Sequence, residues 1–146
     1  MITKIYVSSV IKAPIDKVWA EIRDFNALSK WHPFVESSRI EDDLPSASVG
    51  CVRNFELKDG GGTIRERLLA LCDVERLCTY SILDAPMPVQ NYVATVRLRE
   101  ITDANQTFGQ WVAEFDVPPG EEQETVSLIT SVFREGFNSL NSRLAG

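Results

Sequence analysis

Apolar residues in the last 26 positions of the chain recur at intervals of three and four. Val126, Ile129, Phe133, Phe137, Leu140 and Leu144 fall on one stripe, with Glu122, Arg134, Glu135 and Ser142 outside it. That spacing predicts one amphipathic helix over residues 121–146, roughly 35 Å long. Upstream the period shortens to two, the alternation of half-buried strands. Tyr92, Ala94, Val96 and Leu98 alternate with Arg97 and Arg99, and Trp111, Ala113, Phe115 and Val117 with Gln110, Glu114 and Asp116. In the same way Phe55 and Leu57 oppose Asn54 and Glu56, and Ile64, Glu66, Leu68 and Ala70 share a face.

Turn residues divide the rest. A β-rich run over residues 2–12 ends at Ala13-Pro14, and Pro14 suits a first helical turn. Ile15, Val18, Trp19 and Ile22 then keep helical spacing, and a second short helix is predicted over residues 27–31, stopped by Pro33. Strands are predicted over residues 35–42, 51–57, 63–73 and 77–83 before the two alternating strands above. Leu44-Pro45-Ser46 breaks the first of these, Lys58-Asp59-Gly60-Gly61-Gly62 turns tightly after the second, and Asp84-Ala85-Pro86-Met87-Pro88 cannot continue a ladder. Pro118-Pro119-Gly120 delivers the chain into the long helix. The predicted order is β, two short helices, six strands, α. A long greasy helix closing a β chain must be covered by the sheet, so the fold class is α+β, a curved antiparallel sheet of about seven strands wrapped around the C-terminal helix.

Size and charge narrow the roles. A chain of 146 residues, with no repeat, linker or low-complexity tract, reads as one domain spanning 1–146, large enough for a core and a cavity beside it. A net charge of −6 argues against a nucleic-acid or anionic-membrane binder, which needs a basic face. No window resembles a signal peptide or a membrane span, so the expected location is cytoplasmic, without membrane insertion. Cys51, Cys72 and Cys78 are dispersed and odd in number, which suits free thiols. One histidine with such cysteines supplies no zinc cage; neither metal nor cofactor is expected.

Several motifs carry a resemblance. Ala13-Pro14-x-x-x-Val18-Trp19 enters the first helix and Gly50-x-x-Arg53 opens a strand; Glu66-Arg67-Leu68, Asn91-Tyr92 and Pro118-x-Gly120 follow in order. With them the chain resembles the START/Bet v 1-like (SRPBCC) superfamily of helix-grip folds, and within it the polyketide cyclase/dehydrase and lipid-transport family. The resemblance covers essentially the whole chain and is specific for fold more than for function. Residues 50–120 are also similar to plant abscisic-acid receptors of that superfamily. This likeness implies a gate loop at Gly60-Gly61-Gly62, a second mouth loop from Asp84 to Pro88, and pocket-facing positions at Glu66, Tyr80, Ile82, Tyr92, Phe133 and Phe137. The chain departs from it in lacking the Ser-Gly-Leu-Pro and Gly-Gly-x-His loop patterns, and in placing His32 where a lysine holds the ligand carboxylate. Only the pocket layout carries over.

The expected ligand-binding set is therefore Trp31, His32, Phe55, Glu66, Leu68, Tyr80, Ile82, Met87, Tyr92, Trp111, Phe115, Phe133 and Phe137. His32 and Glu66 are the candidate catalytic residues. A histidine titrates near neutrality and suits acid/base work; the bland alternative ends a helix at the rim with His32 hydrogen-bonded. Glu66 on a concave face either meets a polar group of a ligand or pairs with Arg53 on the neighbouring strand. The leading expectation is a non-enzymatic binder of a small hydrophobic molecule, such as a lipid, polyketide or aromatic metabolite. The alternatives are a metal-free cyclase, dehydratase or hydrolase using the same pocket, or an interaction module with a vestigial cavity. The expected state is monomer or homodimer, since a free strand edge supports pairing.

Overall fold

The structure is a computed structural model and describes residues 2–145. Its elements are β1 (Thr3–Ile11), α1 (Ile15–Arg23), α2 (Leu28–Trp31), β2 (Val35–Ile40), β3 (Val52–Leu57), β4 (Gly62–Cys72), β5 (Leu77–Asp84), β6 (Gln90–Ile101), β7 (Gln106–Asp116) and α3 (Glu122–Leu144). The seven strands make one sheet in the order β1-β7-β6-β5-β4-β3-β2, every pairing antiparallel. From β2 to β7 the chain simply meanders, and β1 then closes against β7. The sheet curves around α3 with α1 and α2 set after the first strand, which is the expected helix-grip α+β fold.

The alternation of each strand decides what it buries. Ile5 and Val7 of β1 face inward while Lys4 and Tyr6 face out, and Tyr92, Ala94, Val96 and Leu98 of β6 are all buried. Ile129, Phe133, Phe137 and Leu140 of α3 are buried against these faces, with Val126 and Leu144 half-buried at the ends. Each fully buried side chain of this size contributes about 1.5–3 kcal/mol. The helix is also tied by polar contacts. Ser139 Oγ donates to the Trp31 carbonyl, the Lys12 N–H donates to Asn141 Oδ1 at 2.8 Å, and Arg143 meets Glu21 at 3.1 Å.

Four differences from the sequence reading have local causes. The long helix ends at Leu144, where Ala145 turns extended; Gly146 lies outside the described residues. The predicted 27–31 helix is a 3-10 turn over Phe25–Ala27 followed by α2. The strand predicted over 35–42 stops at Ile40 because Asp42 and Asp43 take positive φ, at 60° and 53°, which short acidic side chains tolerate. In β4 the register slips between Leu68 and Ala70, so the predicted Ile64-Glu66-Leu68-Ala70 face breaks there, and Leu71 rather than Ala70 packs on the core.

Candidate functional site

Between the sheet and α3 lies a cavity of about 480 Å³, within the range typical of small-molecule sites. Its floor is aromatic: Tyr80 on β5, Tyr92 on β6 and Trp111 on β7 point to the same space from three adjacent strands. Phe55, Ile64 and Ile82 extend the floor toward the mouth. The roof is α3, through Leu128, Ile129, Val132 and Phe133, and the side wall is the turn from α2 into β2, with Leu28, His32, Phe34 and Val35. At the mouth Leu57, Lys58, Asp59 and Gly61 from the β3–β4 turn face Pro86 and Met87 from the β5–β6 loop. These two segments touch. Gly62 has φ +106°, and a Cβ there would lie 3.3 Å from the Pro86 ring, so glycine permits both the turn and the close approach.

Inside the apolar wall sits one buried ion pair. Arg53 Nη2 is 2.6 Å and Nε 2.7 Å from Glu66 Oε1, and the two residues stand directly opposite on β3 and β4. Arg53 Nη1 donates to the Phe25 carbonyl at 3.1 Å, and its guanidinium lies 3.9 Å from the Phe25 ring centroid and 5.0 Å from that of Tyr80. Burial holds the Glu66 carboxyl pKa above its ordinary value, with the Arg53 charge and hydrogen bond offsetting only part of the rise. A guanidinium keeps its charge under all ordinary conditions, so its contact holds Glu66 as a carboxylate. Of the two alternatives weighed for Glu66, the Arg53 pair is present.

His32 is wired at both ring nitrogens. The Phe34 N–H reaches Nδ1 at 3.1 Å, and Nε2 lies 2.7 Å from the Val132 carbonyl. An N–H donating to Nδ1 requires that nitrogen to accept, which places the ring proton on Nε2, donating to Val132. Burial lowers its pKa to about 4, with Arg53 acting in the same direction and the Val132 carbonyl opposing. His32 is a neutral brace between α2 and α3, with neither nitrogen left for acid/base exchange.

The tyrosines are held in their neutral form. Burial, reinforced by Glu66 and opposed by Arg53, raises the Tyr80 phenol pKa far above its usual value, and burial does the same at Tyr92. Trp111 Nε1–H donates to Tyr80 Oη at 3.1 Å, and the Trp111 ring stacks on Phe133 at 4.5 Å. Among the described residues no cluster of three or more His, Cys, Asp or Glu is placed to hold a metal ion, and no helix is long and apolar enough to cross a membrane.

Nine of the residues selected from sequence line this cavity: His32, Phe55, Glu66, Tyr80, Ile82, Met87, Tyr92, Trp111 and Phe133. Trp31, Leu68, Phe115 and Phe137 do not; they are buried in the packed core around it. Phe137 sits one turn beyond Phe133 and packs where Gly109 has no side chain, its Cε1 only 2.8 Å from where a Cβ would be. Phe115 stacks behind Tyr92 at 5.7 Å, and Trp31 tilts between His32 and Trp111. Sequence reasoning missed Leu128 and Val132, each one residue before a member of the helix stripe, and named Arg53 only as a partner for Glu66, not as part of the cavity lining.

Residues 3–145 match the family described as polyketide cyclase/dehydrase and lipid transport. Among curated proteins, abscisic acid receptor PYL10 of Arabidopsis thaliana is 31% identical over 89% of this chain and 73% of its own length. Abscisic acid receptor PYL1 of the same plant is 31% identical over 90% of this chain, which spans only 63% of that receptor. Among solved structures, the protein XoxI from Bacillus cereus superposes with a TM-score of 0.86 at 31% identity, covering 97% of this chain and 95% of that one. The chain belongs to the polyketide cyclase/dehydrase and lipid transport family.

Proposed function

We propose that this protein binds a small hydrophobic molecule in the cavity between its sheet and α3. The observation that carries this reading is the cavity itself, about 480 Å³ walled largely by aromatic and aliphatic side chains around the buried Arg53–Glu66 pair. Filling it removes apolar surface from water on both partners, at roughly 25 cal/mol per Å². Relatives that are receptors of abscisic acid, and a family described by lipid transport, support small-molecule binding by chains of this fold. The alternative chemistry of such a pocket, acid/base catalysis, is disfavoured by the wiring: His32 uses both nitrogens and Glu66 is held by Arg53.

Native mass spectrometry of protein purified gently from its own host tests the proposal. The expected spectrum contains a folded species carrying an added small-molecule mass that organic solvent strips. Protein that is ligand-free from the host, and shows no thermal shift with any member of a lipid and polyketide panel, rejects it.

A further inference from the structure

The buried pair leaves a specific vacancy in hydrogen bonding. Both Arg53 contacts to Glu66 fall on Oε1, and no protein group among the described residues makes a hydrogen bond to Oε2. Glu66 is only 5% exposed and lines the cavity, so what reaches that oxygen is whatever fills the cavity, water or a ligand. An ionised carboxylate oxygen is a strong acceptor and is costly to leave unpaired in an apolar wall. Tyr80, which lines the same cavity, accepts at Oη from Trp111, which leaves its own proton to donate. The inner wall thus presents an acceptor and a donor together.

Its charge balance is equally specific. Arg53 neutralises Glu66, and at the mouth exposed Lys58 stands beside exposed Asp59. His32 adds no charge, since Nε2–H and Nδ1 are both committed. Lys58 stays exposed at the mouth, so an ionised group carried to the inner wall meets no unpaired cation there among the described residues, and its desolvation goes uncompensated.

We infer that the cavity selects an uncharged ligand bearing a hydroxyl group, whose O–H donates to Glu66 Oε2, over the corresponding carboxylate or hydrocarbon. This rests on the binding function proposed above and names the chemical class of the ligand. A hydroxyl on a ligand can both donate to Glu66 and accept from Tyr80. Charge-assisted hydrogen bonds of this kind are about twice as strong as neutral ones.

The test uses matched probes that differ at one group: decyl alcohol, decanoate and decane, and hydroxymethylbiphenyl, its carboxylate and methylbiphenyl. Affinities are measured at neutral pH by Trp111-dependent fluorescence and calorimetry. In at least one series the alcohol is expected to bind tenfold or more tightly than both partners. Replacing the pair together, Arg53→Met with Glu66→Met, preserves the apolar packing and should reduce the preference over hydrocarbon below threefold. Glu66→Gln leaves Arg53 unopposed and should turn the preference toward the carboxylate. Carboxylate or hydrocarbon binding as tightly as alcohol to the unaltered protein overturns the inference while leaving the binding function standing. So does an alcohol preference that survives the double replacement. Failure of every probe in both series counts against the binding function and takes this inference with it.

Discussion

Gly136 of α3 lies against the Trp111 ring of β7 with no room for a methyl group between them. A Cβ on Gly136 would sit 2.8 Å from Trp111 Cζ3 and 3.1 Å from His32 Cδ2. A glycine inside a helix ordinarily lowers its stability by about 1 kcal/mol relative to alanine. Here it lets the helix backbone approach both the cavity floor and its side wall. Gly109 does the reverse on β7, leaving space for Phe137. The two glycines set how closely α3 is gripped, and therefore the height of the cavity.

Gly136→Ala is accordingly expected to destabilise the fold by about 1–3 kcal/mol, the usual range for overpacking, despite the better helix propensity. Trp111 cannot retreat freely because it stacks on Phe133 and bonds to Tyr80. Denaturant unfolding checks this; a stabilised variant would show that α3 moves away without penalty.

Phe133 and Phe137 differ although both belong to one stripe. Phe137→Ala empties a packed site against Gly109 and should cost about 3–5 kcal/mol. Phe133→Ala only extends an existing cavity, so its cost should be smaller by roughly 1 kcal/mol or more, while its effect on affinity for a bound apolar probe should be the larger. Paired unfolding and binding measurements decide, and equal effects of the two variants on both would contradict the placement.

His32 predicts a pH dependence of stability. Its folded pKa of about 4 lies below the unfolded value of 6.5. Between those values the unfolded chain takes up a proton that the folded one refuses. Stability is therefore full above about pH 6.5 and falls as pH drops toward 4, by ~3 kcal/mol in all. Glu41, lowered to about 2 by Arg65 and then Asn54, loses its contribution further down, as pH falls through that value. Unfolding curves across pH 4–7 should show the slope in the native chain and not in His32→Gln; a slope that persists in the variant would assign it elsewhere.

Much of this was legible before the structure. The α3 stripe and the strand alternation specify which faces turn inward, because burial acts on every second or every third-and-fourth residue. Arg53 and Glu66 were recognisable as neighbours on adjacent strands, and they pair. What alternation does not contain is position along a buried face. Trp111 and Phe115 share one face of β7, yet one meets the cavity and the other lies behind Tyr92. The slip at Leu68–Ala70 reverses a face with no glycine or proline to mark it. The partner of His32 Nε2 lies 100 residues away in the chain, at a backbone carbonyl that carries no sequence signature.

The most direct test of the central claim is a methyl NMR titration of the whole protein with decyl alcohol and hydroxymethylbiphenyl. Binding in the cavity predicts saturable shifts at Ile64, Ile82, Met87, Ile129 and Val132, which line it. Ile11, Val18 and Leu98, buried outside its walls, should remain nearly still. Shifts confined to exposed methyls such as Ile2, Val10 and Val74, or no saturable shift with either probe, would contradict a ligand held between the sheet and α3.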